Sequence, residues 1–364
     1  MCDLTLVEIE KTITFNGLLC DRLKKMKCKI DTVDDWDKMK KLTNPYELIH
    51  SSVGSGKLNK SINSFNPLSR SYFKLVEIMK DYKLVDEKEQ MTMVAIAEGP
   101  GGFMESFIKR KGYSPADNIY GITLTPDTKY IPNWDKLNRL YNTPNINTSY
   151  GDIYDMCTIK SFISTVQGQA QLITADGGFD YSNDFNAQET QSCRIILAEI
   201  ILCFRLQKLG GHFVCKFFDL FNILTVKLLY ILKKCYKNLY IHKPVTSRPA
   251  NSERYIICKG FEGVSDETLE NLEYMLSSWR DDKIYDIGGL DLDSRFVNYI
   301  ESHNTFFVTN QLKYLDKTLE FIKNNPTKGE YNKIVAGQVL NAVNWCKAYE
   351  MDINKKSKYL IRYN

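Results

Sequence analysis

The sequence has few histidines and no cysteine pair with the spacing that zinc sites use. It contains 4 histidines and 10 cysteines in 364 residues, and no two cysteines form a CxxC motif. Neither residue type is spaced for a zinc centre, and scattered single cysteines do not form a disulfide framework. We therefore expect free, buried thiols in a reducing, cytoplasmic compartment.

A long apolar segment is also missing. The strongest apolar run, Ile195–Phe204, is interrupted by Glu199 and is too short to cross a bilayer. The acidic start MCDLTLVEIEK has no apolar core of the kind that a signal peptide needs. These patterns predict a soluble, intracellular protein without a membrane partner.

The chain has no strong excess of one charge. It carries 48 basic and 44 acidic residues, which leaves a net charge of +4. Proteins that bind nucleic acid without sequence preference are usually far more basic. Bulk charge therefore does not predict such a function, although a basic groove on a balanced surface stays open.

Short apolar segments alternate with helical patterns in the middle of the chain. Strand patterns occur at 93–97, 119–124, 171–176 and 212–216, and a helical pattern runs from Ala187 to Leu209 and ends at Gly210-Gly211. This alternation predicts an α/β fold with a mostly parallel, doubly wound sheet. No helical pattern separates the last two strand patterns, near 239–243 and 255–259, so we expect them to pair antiparallel at the sheet edge.

Helical patterns dominate both ends of the chain. We predict a helical extension over residues 1–67, an α/β core over 68–262 and a second helical extension over 263–364. The core is expected to begin with a helix at about 68–82. The second extension is expected to contain helices near 267–279, 310–324 and 331–349.

A glycine-rich turn, Glu98–Gly102, follows the first core strand. Glycines let the backbone approach a ligand closely, and the first strand-to-helix turn of a doubly wound sheet lies where ligands bind. The pattern is neither G-x-G-x-x-G nor a P-loop, which argues against a dinucleotide or triphosphate site. Taken alone, a tight structural turn explains the glycines equally well.

Seven stretches, in one order along residues 66–261, are typical of a single enzyme family. They are Ser69–Lys74, Ala97–Phe103, Tyr120–Leu124, Gly151–Ile153, Ala175–Asp180, Gly210–Lys216 and Lys243–Tyr255. The sequence resembles the FtsJ-like family of 2′-O-ribose methyltransferases, and more closely its messenger-RNA cap branch. This resemblance implies a Rossmann-like class I methyltransferase sheet, with S-adenosylmethionine as methyl donor and S-adenosylhomocysteine as by-product.

The resemblance implies a catalytic tetrad of Lys74, Asp176, Lys216 and Glu253. A ribose hydroxyl is a poor nucleophile until its proton is removed, and a lysine accepts a proton only if its pKa is depressed. We expect Lys216 to activate the hydroxyl and Lys74 to supply the like charge that lowers its pKa, while the carboxylates hold both ammonium groups. Whether Lys216 is a true base or an electrostatic stabiliser stays open. No metal is required, because the methyl group carries its own sulfonium leaving group.

Each tetrad member also has a structural interpretation. Without the family context, the two lysines are typical of solvated surface groups, and the two acids are typical of turn caps or surface ion pairs. The context of seven ordered stretches favours the catalytic interpretation.

The resemblance also assigns binding residues. Those of the donor site are Gly99, Pro100, Gly101, Gly102, Phe103, Asp152 and Asp176. Asp152 would read the adenine edge, and a simple turn carboxylate is its alternative. Arg70, Ser247 and Arg248 border the tetrad and are expected to hold RNA phosphates. The 22 Tyr and 18 Phe are too many to nominate a residue that stacks on a cap guanine.

We therefore expect 2′-O-methylation of the first transcribed nucleotides of 5′-capped mRNA. Capped RNA is the expected partner, and other capping enzymes are further candidates. The abundance of Asn, Lys, Ile and Tyr suggests an A/T-rich genome. Together with the stretch Ser247–Tyr255, it makes the chain look similar to cap methyltransferases of large cytoplasmic DNA viruses, which would place it in a viral replication compartment. Two alternatives stay open: a ribosomal or transfer RNA 2′-O-methyltransferase, and a non-catalytic RNA-binding or processivity module on the same fold.

Overall fold

The computed structural model describes residues 3–30, 33, 36–51, 60–112, 114, 116–126, 132–166, 169–179, 184–324 and 326–361. Its strands are β1 Thr5–Glu8, β2 Thr92–Ile96, β3 Asn118–Thr123, β4 Ile146–Tyr150, β5 Ala170–Ala175, β6 Gln207–Phe217, β7 Tyr236–His242, β8 Arg254–Phe261 and β9 Tyr285–Gly288. Seven of them form one sheet in the order β4-β3-β2-β5-β6-β8-β7.

The large sheet is mostly parallel, as predicted. The pairs β2–β3, β2–β5, β3–β4 and β5–β6 are parallel, whereas β8 runs antiparallel to both of its neighbours, β6 and β7. No helix separates β7 from β8, so the chain returns in the opposite direction. The antiparallel strand therefore lies one place in from the edge, and the edge strand β7 runs with the others.

Helices cover both faces of this sheet. They are α1 Gly17–Ile30, α2 Trp36–Thr43, α3 Ser71–Tyr82, α4 Gly102–Lys111, α5 Asp135–Leu140, α6 Met156–Thr165, α7 Gln188–Leu206, α8 Ile223–Cys235, α9 Asp266–Ser277, α10 Ser294–Asn324 and α11 Lys328–Ala348, with a short 3₁₀ turn at Glu47–Ile49. Strand β2 is fully buried, and its alternate residues serve two cores. Val94 and Ile96 join one apolar cluster, and Met93 and Ala95 join another.

The predicted end of the long helix at Gly210-Gly211 is wrong. Helix α7 ends at Leu206, and β6 begins at the next residue. The side-chain amide of Gln207 donates to the carbonyl oxygen of Ala170 over 2.8 Å, which fixes the chain to β5 at this point. The glycines lie inside a strand irregularity between the pairs Ala170–Gln207 and Leu172–His212.

The extensions contain helices at both ends, together with an unpredicted small sheet. Strands β1 and β9 pair antiparallel, with Thr5 opposite Gly288, and so tie the start of the chain to its last third. The proposed domain boundaries after residues 67 and 262 stay a prediction. Each cysteine that the structure describes is a free thiol, and Cys28 and Cys157 are exposed, contrary to the expectation of uniformly buried thiols. Within the described ranges, no helix has both the length and the apolarity to cross a membrane.

Candidate active site

A cavity of about 510 Å³ opens at the carboxyl ends of four neighbouring strands. Its lining includes Ala97 after β2, Thr123 at the end of β3, Gly151 after β4 and Asp176 after β5. This is where doubly wound sheets bind ligands. The full lining is Ala97, Gly99, Thr123, Leu124, Pro132, Gly151, Asp152, Ile153, Tyr154, Asp176, Gly178, Phe179 and Ile195.

The glycine-rich turn shapes this cavity through Gly99. A Cβ on Gly99 would lie 2.9 Å from the carbonyl oxygen of Pro132, so a side chain here would collide with the opposite wall. Gly101 has a φ of +103°, in the left-handed region that favours glycine, and a Cβ on Gly102 would meet the hydroxyls of Ser69 and Ser71. These two glycines allow close packing inside the protein.

The turn therefore only partly matches the donor site assigned from the sequence. Gly99, Asp152 and Asp176 line the cavity, whereas Pro100, Gly101, Gly102 and Phe103 are not part of its wall. Phe103 in particular is fully buried, and its ring packs against Tyr255 at a centroid distance of 5.9 Å. Helix α4 begins at Gly102, and the turn is buried from Gly101 onward. The donor-binding role assigned to these residues stays a prediction.

Glu98, in the same turn, caps helix α4. Its carboxylate accepts hydrogen bonds from the backbone N–H groups of Phe103 over 2.6 Å and of Met104 over 3.4 Å. Burial raises the pKa of Glu98 well above 4.5. The acidic residue of this motif is thus structural.

Asp152 and two apolar side chains form one end of the cavity. The Oδ1 atom of Asp152 accepts the backbone N–H of Tyr154 over 2.9 Å, which fixes the orientation of the exposed carboxylate. Leu124 and Phe179 lie on the cavity wall and remain 47% and 49% exposed. Asp180 ends the stretch Ala175–Asp180 that resembles the family, and it lies outside the described residues.

The four tetrad residues meet beside this cavity. The Nζ atom of Lys74 lies 2.8 Å from Oε2 of Glu253, and Nζ of Lys216 lies 3.3 Å from Oδ1 of Asp176. Lys216 also donates to the backbone carbonyl oxygen of Asp176 over 2.8 Å. Because Asp176 lines the cavity and contacts Lys216, the tetrad and the cavity are continuous.

The sheet brings the tetrad together from four places in the chain. Lys74 lies on α3, Asp176 follows β5, Lys216 lies near the end of β6, and Glu253 directly precedes β8. The register of β6 and β8 places Lys216 opposite Tyr255. Asp176, Lys216 and Glu253 therefore converge because neighbouring strands end or begin at one edge, and Lys74 joins them from helix α3.

Tyr255 is a site residue that the sequence did not reveal. Its hydroxyl donates to Oδ1 of Asp176 over 2.8 Å and accepts from Nζ of Lys74 over 3.4 Å. The hydroxyl thus links the two halves of the tetrad, Lys74–Glu253 and Lys216–Asp176. The segment Glu253-Arg254-Tyr255 contained a signal for Tyr255. Residues two apart in an extended chain face the same side, so Tyr255 is expected on the side of Glu253.

The electrostatics of Lys216 differ from the expectation. Burial lowers its pKa, but Asp176, Glu253 and Glu199 together outweigh burial and raise it above 10.5. The expected depression by Lys74 is wrong for the protein without a ligand, because Lys74 is paired with Glu253 and carboxylates surround Lys216.

Glu253 is held as a carboxylate by three lysines. Burial acts to raise its pKa, but Lys74, Lys216 and Lys243 lower it to about 2. Lys243 is partly buried, and loss of solvation lowers its pKa to about 7. Its Nζ donates to the backbone oxygen of Glu253 over 2.7 Å and to the Oδ1 atom of Asn251 over 2.6 Å.

The residues assigned to RNA lie next to the tetrad, but they differ in accessibility. Ser247 is buried, and its hydroxyl donates to Oε1 of Glu253 over 2.8 Å, so it supports the tetrad. Arg248 forms two hydrogen bonds to Glu47, of 3.0 and 2.9 Å. Arg70 donates to the backbone oxygen of His50 and lies 3.7 Å from Glu47. The side chains of Arg70 and Arg248 remain 21% and 25% exposed.

No metal centre stands out in the part of the chain that the structure describes. There, no three His, Cys, Asp or Glu side chains lie together in a way that could hold an ion. The metal-free reaction expected from the sequence stays a prediction.

Known proteins show similarity to this chain in sequence. The sequence profile of the FtsJ-like methyltransferase family matches residues 67–261. Cap-specific mRNA (nucleoside-2′-O-)-methyltransferase 1 of Caenorhabditis elegans is 33% identical over 268 residues, which cover 68% of this chain and 29% of that protein. Inactive cap-specific mRNA (nucleoside-2′-O-)-methyltransferase 1B of Caenorhabditis briggsae is 32% identical over 268 residues, with 68% and 31% covered.

A solved structure is also similar. Human Methyltransferase-like protein 13 in complex with SAH gives a TM-score of 0.36 at 13% identity and covers 58% of this chain and 94% of that one. This chain spans less than a third of the length of the two nematode relatives. The similarity to enzymes of large DNA viruses stays a prediction. Because the family profile covers more than half of the 364 residues, the chain belongs to the FtsJ-like methyltransferase family.

Proposed function

We propose that this chain transfers a methyl group from S-adenosylmethionine to the ribose 2′-hydroxyl of a first transcribed nucleotide of 5′-capped mRNA. One observation carries the proposal. The ion pairs Lys74–Glu253 and Lys216–Asp176 lie together beside an open cavity. The names of the two nematode relatives, both cap-specific mRNA (nucleoside-2′-O-)-methyltransferases, support the cap-specific substrate. Contacts with other capping enzymes and a cytoplasmic location remain predictions.

The cavity lining supports S-adenosylmethionine as its occupant. A volume of about 510 Å³ is within the ordinary range of small-molecule sites, roughly 300–1,000 Å³. The carboxylate of Asp152 is suited to accept a hydrogen bond from the exocyclic amine of adenine. Leu124 and Phe179 offer exposed apolar surface for the ring. Gly99 leaves room for the ligand where a Cβ would narrow the cavity.

The tetrad supports the chemistry of the acceptor. S-adenosylmethionine supplies a methyl group on a positively charged sulfur, so we propose a reaction without a metal ion. At neutral pH, Lys216 is an ammonium that orients the hydroxyl and stabilises negative charge on its oxygen while the proton passes to solvent. The oxygen then bonds to the methyl carbon as the bond from that carbon to sulfur breaks, which leaves S-adenosylhomocysteine. A cationic ligand in the adjacent cavity opposes the effect of the carboxylates and lowers the pKa of Lys216 toward proton acceptance.

Arg70 and Arg248 support the position of the RNA. Both are partly exposed and pair with buried Glu47, and Arg248 directly follows Ser247, whose hydroxyl contacts Glu253. Guanidinium groups fixed in this way bind phosphate without reading sequence. The RNA strand would then cross the tetrad with its ribose facing the cavity.

A Lys216→Ala variant tests the proposal. We expect methyl transfer from labelled S-adenosylmethionine to a short capped RNA to fall by at least about 100-fold, since a catalytic proton-transfer group contributes that much. The dissociation constant for S-adenosylmethionine should change by less than about twofold, because Lys216 is not part of the cavity wall. Lys208→Ala, an exposed lysine at the far end of the same strand, is the matched control and should retain full turnover.

The RNA substrates in the same assay separate the alternatives. Equal rates on capped and uncapped versions of one RNA would remove cap specificity and favour a ribosomal or transfer RNA substrate. Unchanged turnover in Lys216→Ala would refute the tetrad assignment. Binding of S-adenosylmethionine without transfer to any RNA would favour a non-catalytic module, a state that the name of the Caenorhabditis briggsae relative describes for that protein.

A further inference from the structure

Glu77 is a buried carboxylate on α3, about one helical turn after Lys74. It is 1% exposed and lies three residues after Lys74. Its two oxygens accept the backbone N–H groups of Val245 over 2.8 Å and Thr246 over 2.9 Å. The indole N–H of Trp345 completes the set over 3.0 Å. One carboxylate therefore joins a helix of the core, a loop and the last helix of the chain.

The loop that Glu77 holds leads directly to the tetrad. Residues 243–253, the β7–β8 connection, carry Ser247, Arg248 and Glu253. The hydroxyl of Ser247 reaches Oε1 of Glu253 over 2.8 Å, and Arg248 pairs with Glu47. The backbone amides bound by Glu77 lie one and two residues before Ser247. A shift of this backbone would therefore move both the support of Glu253 and the arginine proposed to hold RNA.

Trp345 is fixed by its surroundings in α11. Its ring is 3% exposed and packs edge-on against Phe73 at a centroid distance of 5.6 Å. A buried carboxylate is costly unless donors surround it, and the indole is one of three donors to Glu77. Burial raises the pKa of Glu77 to about 7, despite these hydrogen bonds. Loss of one donor would destabilise the Glu77 carboxylate and so weaken its hydrogen bonds with the backbone amides of Val245 and Thr246.

We infer that Trp345 is a positioning residue for the active site and acts through Glu77 on the β7–β8 connection. The inference rests on the proposed function, since it concerns the same tetrad. Trp345 lies outside residues 67–261, the part of the chain that matches the family profile. The second extension would thus take part in catalysis without touching substrate.

Trp345→Phe tests this inference because it removes the indole N–H and keeps an aromatic ring. The matched control is Tyr349→Phe. The hydroxyl of Tyr349, just after the end of α11, donates to Asp81 over 3.1 Å, and Asp81 lies on α3, the helix that also carries Glu77. For Trp345→Phe we expect faster hydrogen exchange of the Val245 and Thr246 amides. We also expect kcat/KM for capped RNA to fall about tenfold, in line with the loss of an orienting partner. Binding of S-adenosylmethionine should change by less than about twofold. Tyr349→Phe should leave the amide exchange, kcat/KM and the binding of S-adenosylmethionine unchanged.

A second variant covers the case in which Trp345→Phe folds poorly. Glu77→Gln keeps the aromatic core but offers one oxygen to two backbone amides, so it should speed exchange at those amides and lower kcat/KM in the same way. In a double variant with Ser247→Ala, the Trp345→Phe loss should shrink, because both changes act on one connection.

Unchanged exchange at both amides in Trp345→Phe and Glu77→Gln would overturn the inference. Equal kcat/KM in Trp345→Phe and Tyr349→Phe would do so as well. Hydrogen exchange does not depend on activity, so it tests the contact even if the wild-type protein methylates no RNA. Inactivity of the wild type would instead contradict the proposed function.

Discussion

The family-matched core, residues 67–261, and the flanking extensions contribute differently to the site. All four tetrad residues come from the core. Two buried groups that bind residues around the tetrad come from outside it: Glu47, which pairs with Arg248, and Trp345, which binds Glu77. The core thus supplies the groups proposed to be catalytic, while the extensions restrict the geometry. Sites held by such a supporting layer are more precise than sites on unsupported loops.

The segment around Glu253 shows this division most clearly. Asp219, in the core, accepts hydrogen bonds from Nζ of Lys27 on α1 and from the hydroxyl of Ser252, both over 2.8 Å. Gln311 on α10 donates to the same hydroxyl over 3.2 Å. Arg254, on the other side of Glu253, lies 3.6 Å from Asp219. Both sequence neighbours of Glu253 are therefore anchored to one buried ion cluster that includes the first extension.

The largest expected effect comes from breaking that cluster. In Lys27→Met, Asp219 stays buried without its closest cation, and we expect the free energy of unfolding to fall by about 3 kcal/mol. Urea denaturation measures the change. Lys80→Met is the matched control, because Lys80 pairs with Glu350 on the surface, and its loss should cost less than about 1 kcal/mol. Equal losses in the two variants would mean that the first extension does not stabilise the core through this pair.

An intermediate effect is expected in the core alone. Asp152→Asn keeps an oxygen for the Tyr154 amide and removes only the charge. We expect binding of S-adenosylmethionine to weaken about tenfold, since a hydrogen bond to a charged group contributes about 1.5 kcal/mol or more. Calorimetry measures the binding, and the melting temperature should stay the same. A lower melting temperature with unchanged binding would make Asp152 a turn residue only.

The smallest expected effect concerns Glu199, buried in the core. Its carboxylate accepts the backbone N–H of Gly177 over 2.9 Å, and burial raises its pKa to about 8. Between pH 4.5 and 8 the folded protein keeps this proton and an unfolded glutamate releases it, so stability falls as the pH rises.

Glu199→Gln should reduce this fall without abolishing it, because the pKa values of Glu77 and Glu189 are also raised, to about 7 and 8. Melting curves across this pH range should show a smaller decline in melting temperature than in the wild type. An unchanged slope would indicate that Glu199 is ionised in the folded state.

Local patterns predicted much of the fold, and the family resemblance implied which four residues form the tetrad. Apolar runs such as Met93–Ala97 are buried strands, and polar residues directly after them lie at one sheet edge, which brings Asp176 and Lys216 together. The predictions failed where a distant contact outweighed a local signal. Gly210-Gly211 is typical of a helix end, yet the bond from Gln207 to Ala170 starts the strand earlier. Phe103 lies in a ligand-binding motif, yet its ring is in the core.

What the sequence alone determined is which residues end each strand and hence which groups reach the cavity edge, because side-chain periodicity is a local property. Tertiary structure decided the pKa of Lys216, since this depends on three carboxylates from other elements. It also decided which groups hold the β7–β8 connection. Glu77 and Trp345 are 268 residues apart, and no local pattern signals their contact. Charges and buried donors act over a few ångströms of space, whatever their separation along the chain.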